Sequence, residues 1–159
     1  ELPNRVAELM DKYGIASSWL DLEVTESAIM SDPMAARRVM RRLSDMGVRL
    51  SIDDFGTGHS SLSYLKQLPV DFIKVDGGLV RDILSNPVDH AMVRAINKLG
   101  HLLGKQTIAE YVEDDATLEM LRDFGIDYAQ GNYIGKPREA LMSITRLSAT
   151  PVQRMGHVD

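Results

Sequence analysis

The chain has no cysteine. That excludes a disulfide framework and any thiolate-held metal, leaving carboxylates and imidazoles as the side chains able to bind an ion. Aromatic residues are scarce, at 6%, with one tryptophan. No apolar run approaches the ~20 residues of a membrane-spanning helix, and the first residues carry no signal-peptide pattern, so a cytoplasmic protein is expected. Positive charge is also short. Eighteen Lys and Arg against 23 Asp and Glu leave a net charge of −5, which argues against a basic surface for long nucleic acid. An anionic substrate would need a bound metal or a few well-placed cations. What is present, 159 residues with 44% apolar and 26% charged content, suits one globular domain.

Apolar periodicity and punctuation predict alternating elements. A helix is expected over residues 3–13, with Val6, Leu9, Met10 and Tyr13 on one face and Gly14 as its stop. A strand over 20–25 follows, then a helix from Pro33 burying Val39, Met40, Leu43 and Met46, stopped by Gly47. The next strand ends at Asp53, a short helix spans 61–67, and a strand covers 72–76. Asn86 and Pro87 open a helix with Met92, Ile96, Leu99 and Leu103 inward, and a strand is expected over 106–112. Asp114 or Asp115 caps a helix carrying Leu118, Leu121 and Phe124, ended by Gly125; a last strand spans 128–134 and a last helix runs from Pro137 to near Leu147. Strands alternating with helices mean βα units, an α/β class and a parallel sheet. Residues 148–159 carry no periodic pattern and are expected to form a flexible tail after a domain of residues 1–147.

The chemistry centres on Leu50-Ser51-Ile52-Asp53-Asp54-Phe55-Gly56-Thr57-Gly58. Successive side chains of a strand point to opposite faces, so Asp53 and Asp54 can reach one cation only where the chain begins to turn. Adjacent acids of this kind suit Mg2+ or Mn2+ and can bridge two ions; a helix cap or Asx-turn is the alternative use. Gly56 and Gly58 leave room for a phosphate, although no Lys-Ser/Thr follows them. Parallel strands are usually apolar on both faces, yet here one face keeps carrying ionisable groups. Glu23, Lys74, Asp76, Glu110, Glu113 and Gln130 fall on or just after four of the strands. Buried charges must pair with one another or with metal, and the C-terminal ends of strands are where (β/α) barrels place their active sites.

These segments resemble the EAL-domain cyclic di-GMP phosphodiesterases. The resemblance rests on Leu22-Glu23-Val24-Thr25-Glu26-Ser27, on Asp53-Asp54-Phe55-Gly56-Thr57-Gly58 and on Ser60-Ser61-Leu62-Ser63-Tyr64-Leu65-Lys66. It continues through Leu68-Pro69-Val70-Asp71, Lys74-Val75-Asp76, Ala109-Glu110-Tyr111-Val112-Glu113 and Asp127-Tyr128-Ala129-Gln130-Gly131. It implies a modified TIM-type (β/α) barrel, of which about five strands are expected here, and hydrolysis of cyclic di-GMP to linear pGpG with two Mg2+ or Mn2+ ions. It further implies that Glu23 and Asp53 hold one ion, and that Asp53 bridges to a second ion held by Asp54 and Glu110. Lys74 would contact the attacking water or the phosphate, and Glu113 and Gln130 would organise the site and substrate. Glu26 would support the loop after Asp54, with Gly56, Gly58 and Asp76 serving loop or substrate.

The departures are specific. The family's naming Glu-Ala-Leu strand is expected upstream of residue 1, and Glu139-Ala140-Leu141 on a terminal helix is a chance match. His59 stands where the family usually has tyrosine, Gly77-Gly78 where it often has Arg-Ser, and Tyr111 where glycine is frequent. Open barrel edges would invite association with a second copy. A non-catalytic cyclic di-GMP receptor, or an interaction module that is an incomplete barrel active only with the missing strands, is the competing reading. Retention of the acids favours the enzyme, while residues 1–159 alone are expected not to hydrolyse cyclic di-GMP at a meaningful rate. His90 and His101 are expected at the surface or lightly packed, without ligand-spaced partners, and Arg37, Arg38, Arg41 and Arg42 as a solvated stripe.

Overall fold

The computed structural model describes residues 1–56, 65–136 and 150–151. The chain divides into two compact units, Glu1–Ile73 and Lys74–Asp159. The division falls inside a strand, β3 (Phe72–Val75).

The first unit opens with α1 (Leu2–Tyr13), with Pro3 in its first turn and Gly14 ending it at φ 64°. A 3₁₀ turn at Ser17–Trp19 leads into β1 (Asp21–Thr25), which runs parallel to β2 (Arg49–Phe55). Their register sets Leu22 opposite Leu50, Glu23 opposite Ser51 and Thr25 opposite Asp53. Between them lie α2 (Glu26–Ser31) and α3 (Pro33–Asp45). The periodicity does not predict α2, because six residues are too short to display a helical repeat. Its signal is local: Thr25 Oγ1 accepts a hydrogen bond from Ala28 N at 3.3 Å. Asp32 caps α3 in the same way through Ala35 N at 3.0 Å, one residue before Pro33. Met40 and Leu43 are buried on α3 as expected, whereas Val39 and Met46 are only half-buried, and Leu50 and Ile52 are buried on β2. The Asp71 main chain ties the start of β3 to Leu50 O at 2.8 Å.

In the second unit the strand order is β3, β4 (Gln106–Ala109), β5 (Tyr128–Ala129) and β6 (Thr150–Pro151). The helices are α4 (Gly77–Arg81), α5 (Pro87–Leu102) and α6 (Asp115–Phe124). β4 and β5 are parallel, and β6 lies antiparallel to β5. Thr150 and Pro151 therefore form a strand within the segment expected to be a tail. The expected helices over 61–67 and after Pro137 lie mostly outside the described residues, as does Glu139-Ala140-Leu141.

Two expectations are corrected here. β4 and β5 are shorter than the sequence predicts, ending at Ala109 and Ala129. Tyr111 adopts φ 57°, which breaks the extended run, and Val112 N turns to donate to Gln130 O at 3.0 Å. The buried face of α5 carries Val93, Ile96, Asn97 and Gly100, while Met92, Leu99 and Leu103 are only half-buried. Asn97 joins a buried polar cluster: its amide donates to Phe124 O at 2.7 Å, and its Oδ1 lies 2.6 Å from Thr107 Oγ1. Asp127 completes that cluster, accepting from Thr107 N at 2.8 Å.

Candidate active site

In the first unit the acids gather where β1 and β2 end. Asp53 is half-buried and Asp54 exposed, and Asp54 takes φ 55°. Aspartate tolerates the left-handed region better than most residues, because its short polar side chain can bond locally. This turn breaks the up-and-down alternation of the strand, so the two neighbouring carboxylates each place an oxygen within 4.8 Å of the other. Glu23 is exposed on β1. Glu26, at the start of α2, is only 4% exposed, and its Oε2 accepts from Gly56 N at 3.2 Å. Gly56 sits at φ 107°, a conformation open to glycine, so this contact holds the turn that follows the acids. Among the described residues, Glu26 Oε1 has no hydrogen-bond partner. Gly58 and His59 lie outside the described residues.

The second unit brings together Lys74, Glu110, Glu113 and Gln130. Lys74 is 4% exposed on β3, and its Nζ lies 2.7 Å from Glu110 Oε1. Pairing is what makes a buried ammonium tolerable, as the polar strand face required. Glu110 N donates to Val75 O at 3.3 Å, which sets the glutamate one residue beyond β4. Glu110, Glu113 and Gln130 line a depression of about 270 Å³ together with Tyr111, Gly131 and Asn132. Gly131 must be bare: a Cβ there would fall 2.8 Å from Val112 C and closer still to its N and O. Asp76 is engaged as the cap of α4, its Oδ1 accepting from Gly78 N at 2.8 Å.

Tyr111, Gly131 and Asn132 were not among the site residues expected from sequence. The signals that could have found them are their position beside Glu110 and Gln130 and, for Tyr111, its place where glycine is frequent. His101 is exposed and His90 lightly packed, as expected, but each has a partner distant in sequence. His101 Nε2 lies 2.7 Å from Asp127 Oδ2, a partner 26 residues away that no local spacing reveals. His90 is half-buried and packs edge-on against Phe124, with ring centroids 4.7 Å apart. Of the arginine stripe, Arg37 donates to Gln67 Oε1 at 2.9 Å and Arg42 reaches Glu1 and Asn4.

The EAL domain family model matches residues 1–137. The chain belongs to the EAL domain family. The Escherichia coli (strain K12) cyclic di-GMP phosphodiesterase PdeF is 37% identical over 145 residues, which is 91% of this chain and 19% of that protein. A solved structure of the PaMucR phosphodiesterase in complex with c-di-GMP is 42% identical, with a TM-score of 0.84 over 86% of this chain and 56% of that one. A Klebsiella pneumoniae BlrP1 complex with manganese and cy-diGMP is 36% identical, with a TM-score of 0.78 over 85% of this chain and 35% of that one. The EAL-domain chain thus spans about a fifth of PdeF and little more than half of the PaMucR structure. Its fold class is the α/β one that the alternating elements predict and the modified TIM-type barrel that the resemblance implies. No helix among the described residues is long and apolar enough to cross a membrane.

Proposed function

We propose that this EAL domain hydrolyses cyclic di-GMP to linear pGpG. The observation that carries the reading is the Asp53–Asp54 carboxylate pair, drawn within 4.8 Å by the left-handed turn at Asp54. Such an all-oxygen donor pair fits a hard divalent cation. Glu23, Asp53, Asp54 and Glu110 are the proposed ligands of Mg2+ or Mn2+, with Asp53 shared between two ions. Bound there, the cations would activate water near neutral pH and offset the phosphate charge.

The chain's own groups have distinct proposed roles. Lys74, already charged and held by Glu110, presents a fixed cation to the phosphate and needs no reorganisation during the reaction. Glu26 holds the turn after Asp54 through Gly56 N. Glu113 and Gln130 line the depression beside Glu110 and bind the nucleotide's polar groups, and Asp76 steadies the start of α4 beneath Lys74 in sequence. In the overall reaction a water oxygen forms a new bond to phosphorus, the bond from phosphorus to the ribose 3′ oxygen breaks, and that oxygen leaves as a hydroxyl. The phosphate stays on the 5′ side, which gives pGpG. The proposed setting is the cytoplasm, and a second copy associating through strand edges is the proposed protein partner.

The test is chromatography of cyclic di-GMP incubated with the protein and Mg2+ or Mn2+, with a chelator control. Metal-dependent appearance of pGpG is expected. Tight, metal-independent binding without product would instead establish a receptor.

A further inference from the structure

Tyr111 occupies a backbone conformation that bulky side chains rarely adopt, at φ 57°. Burial does not account for this, because the residue is 55% exposed. An uncommon backbone conformation at a largely exposed bulky residue is an outlier of the kind that clusters at ligand sites. The ring lies across Gly77: a Cβ on that glycine would fall 2.7 Å from Tyr111 Cγ and 2.9 Å from its Cβ. The Arg81 guanidinium stands 5.3 Å from the ring centroid, within cation–π range. The ring thus rests against a bare glycine, with a guanidinium in cation–π range, and it lines the same depression as Glu110, Glu113 and Gln130. At about 270 Å³ that depression has room for one nucleobase rather than a whole cyclic dinucleotide.

We propose that Tyr111 is a stacking platform for one guanine of the cyclic dinucleotide, and that Gly77 lacks a side chain so the ring can lie there. The proposal rests on the cyclic di-GMP reading above and adds to it the residue that prefers a purine over a smaller pyrimidine. Stacking needs only a π face, so the phenol oxygen is dispensable.

The experiment is equilibrium titration of cyclic di-GMP and cyclic di-UMP against the wild-type protein, Tyr111→Phe, Tyr111→Asn and Gly77→Arg. Asparagine is chosen because it accepts the left-handed backbone, so the fold is kept while the plate is removed. Tyr111→Asn should weaken cyclic di-GMP about tenfold or more and cyclic di-UMP distinctly less, narrowing the preference between them. Tyr111→Phe should bind as the wild type does. Gly77→Arg should reproduce the loss by displacing the ring, and should add nothing in a Tyr111→Asn background. Equal affinities of wild type and Tyr111→Asn, or equal losses for both ligands, would overturn the proposal. Failure of the wild type itself to bind cyclic di-GMP would overturn the functional reading and this one with it, an outcome distinct from a loss confined to the variants.

Discussion

Lys74 Nζ lies 2.7 Å from Glu110 Oε1, with the lysine side chain 5% and the glutamate 15% exposed. Lys74 lies on β3 and Glu110 one residue past the neighbouring strand β4, 36 positions apart in the chain (110 − 74), so only the sheet brings them together. Removing one member strands the other's charge in a poorly solvated place, which typically costs about 3–5 kcal/mol. Removing both leaves no such charge.

The pair therefore offers a way to separate stability from the proposed catalysis. Lys74→Met should lower the melting temperature and cut cyclic di-GMP turnover about 100-fold, the scale of one preorganised electrostatic contact. The double variant Lys74→Met with Glu110→Gln should recover the melting temperature and leave turnover low. Recovery of both would show that the lysine only balances charge within the fold.

On the proposed reading, Asp53→Asn should abolish hydrolysis and weaken Mn2+ binding in calorimetry, because a ligand shared between two ions would need a full carboxylate. The far-ultraviolet circular dichroism should not change, since Asp53 is only half-buried, two residues before the end of β2. Near-normal turnover in this variant would remove Asp53 from the ligand set.

Away from the depression, Thr107 is fully buried and its hydroxyl lies 2.6 Å from Asn97 Oδ1 and 3.1 Å from Asp127 Oδ2. Thr107→Val keeps the shape and deletes the hydroxyl, so stability to urea should fall by about 1–3 kcal/mol. Ligand affinity should be unchanged, because neither Asn97 nor Asp127 lines the depression beside Glu110.

Asp114 caps α6, and the hydrogen bonds it accepts from Thr117 hold its carboxyl below the ordinary value of 3.8. A group whose folded pKa is depressed stabilises the fold above its unfolded pKa, and that contribution is lost as pH falls through the folded pKa. Asp114→Ala should therefore lower the melting temperature at neutral pH, and the difference from wild type should vanish in strong acid. The opposite limb belongs to Tyr133, whose hydroxyl donates to Asp115 Oδ1 at 3.0 Å and whose pKa is raised above 10.0 by that bond. Its contribution is present below its unfolded pKa and is lost as pH rises through the folded value. Melting temperatures of wild type, Asp114→Ala and Tyr133→Phe across the pH range check both signs.

Much of the local structure was legible because its causes are local. Pro3, Pro33 and Pro87 open helices, Asn86 and Asp114 cap them, and Gly14 and Gly125 end them in the left-handed region. The acidic Asp53-Asp54 pair and the charges interrupting apolar strands were equally visible, since a buried charge is costly wherever it falls. The order of the short segments from Glu23 to Gly131 was enough to place the chain in its family.

What the tertiary structure decided concerns choices among local near-equals. Helix α5 offers two apolar stripes one residue apart, and packing against α4 and β4 selects the one with Val93, Ile96, Asn97 and Gly100. β4 ends at Ala109 because the next residues bond to Val75 and Gln130 on neighbouring segments rather than continuing the ladder with β5. Lys74 finds Glu110 and His101 finds Asp127 across long sequence separations that carry no spacing rule. Tyr111 read only as a departure until its ring was found resting on Gly77. Propensity, capping and charge act within a few residues and can be read along the chain, whereas partner choice depends on which surfaces the completed packing leaves face to face.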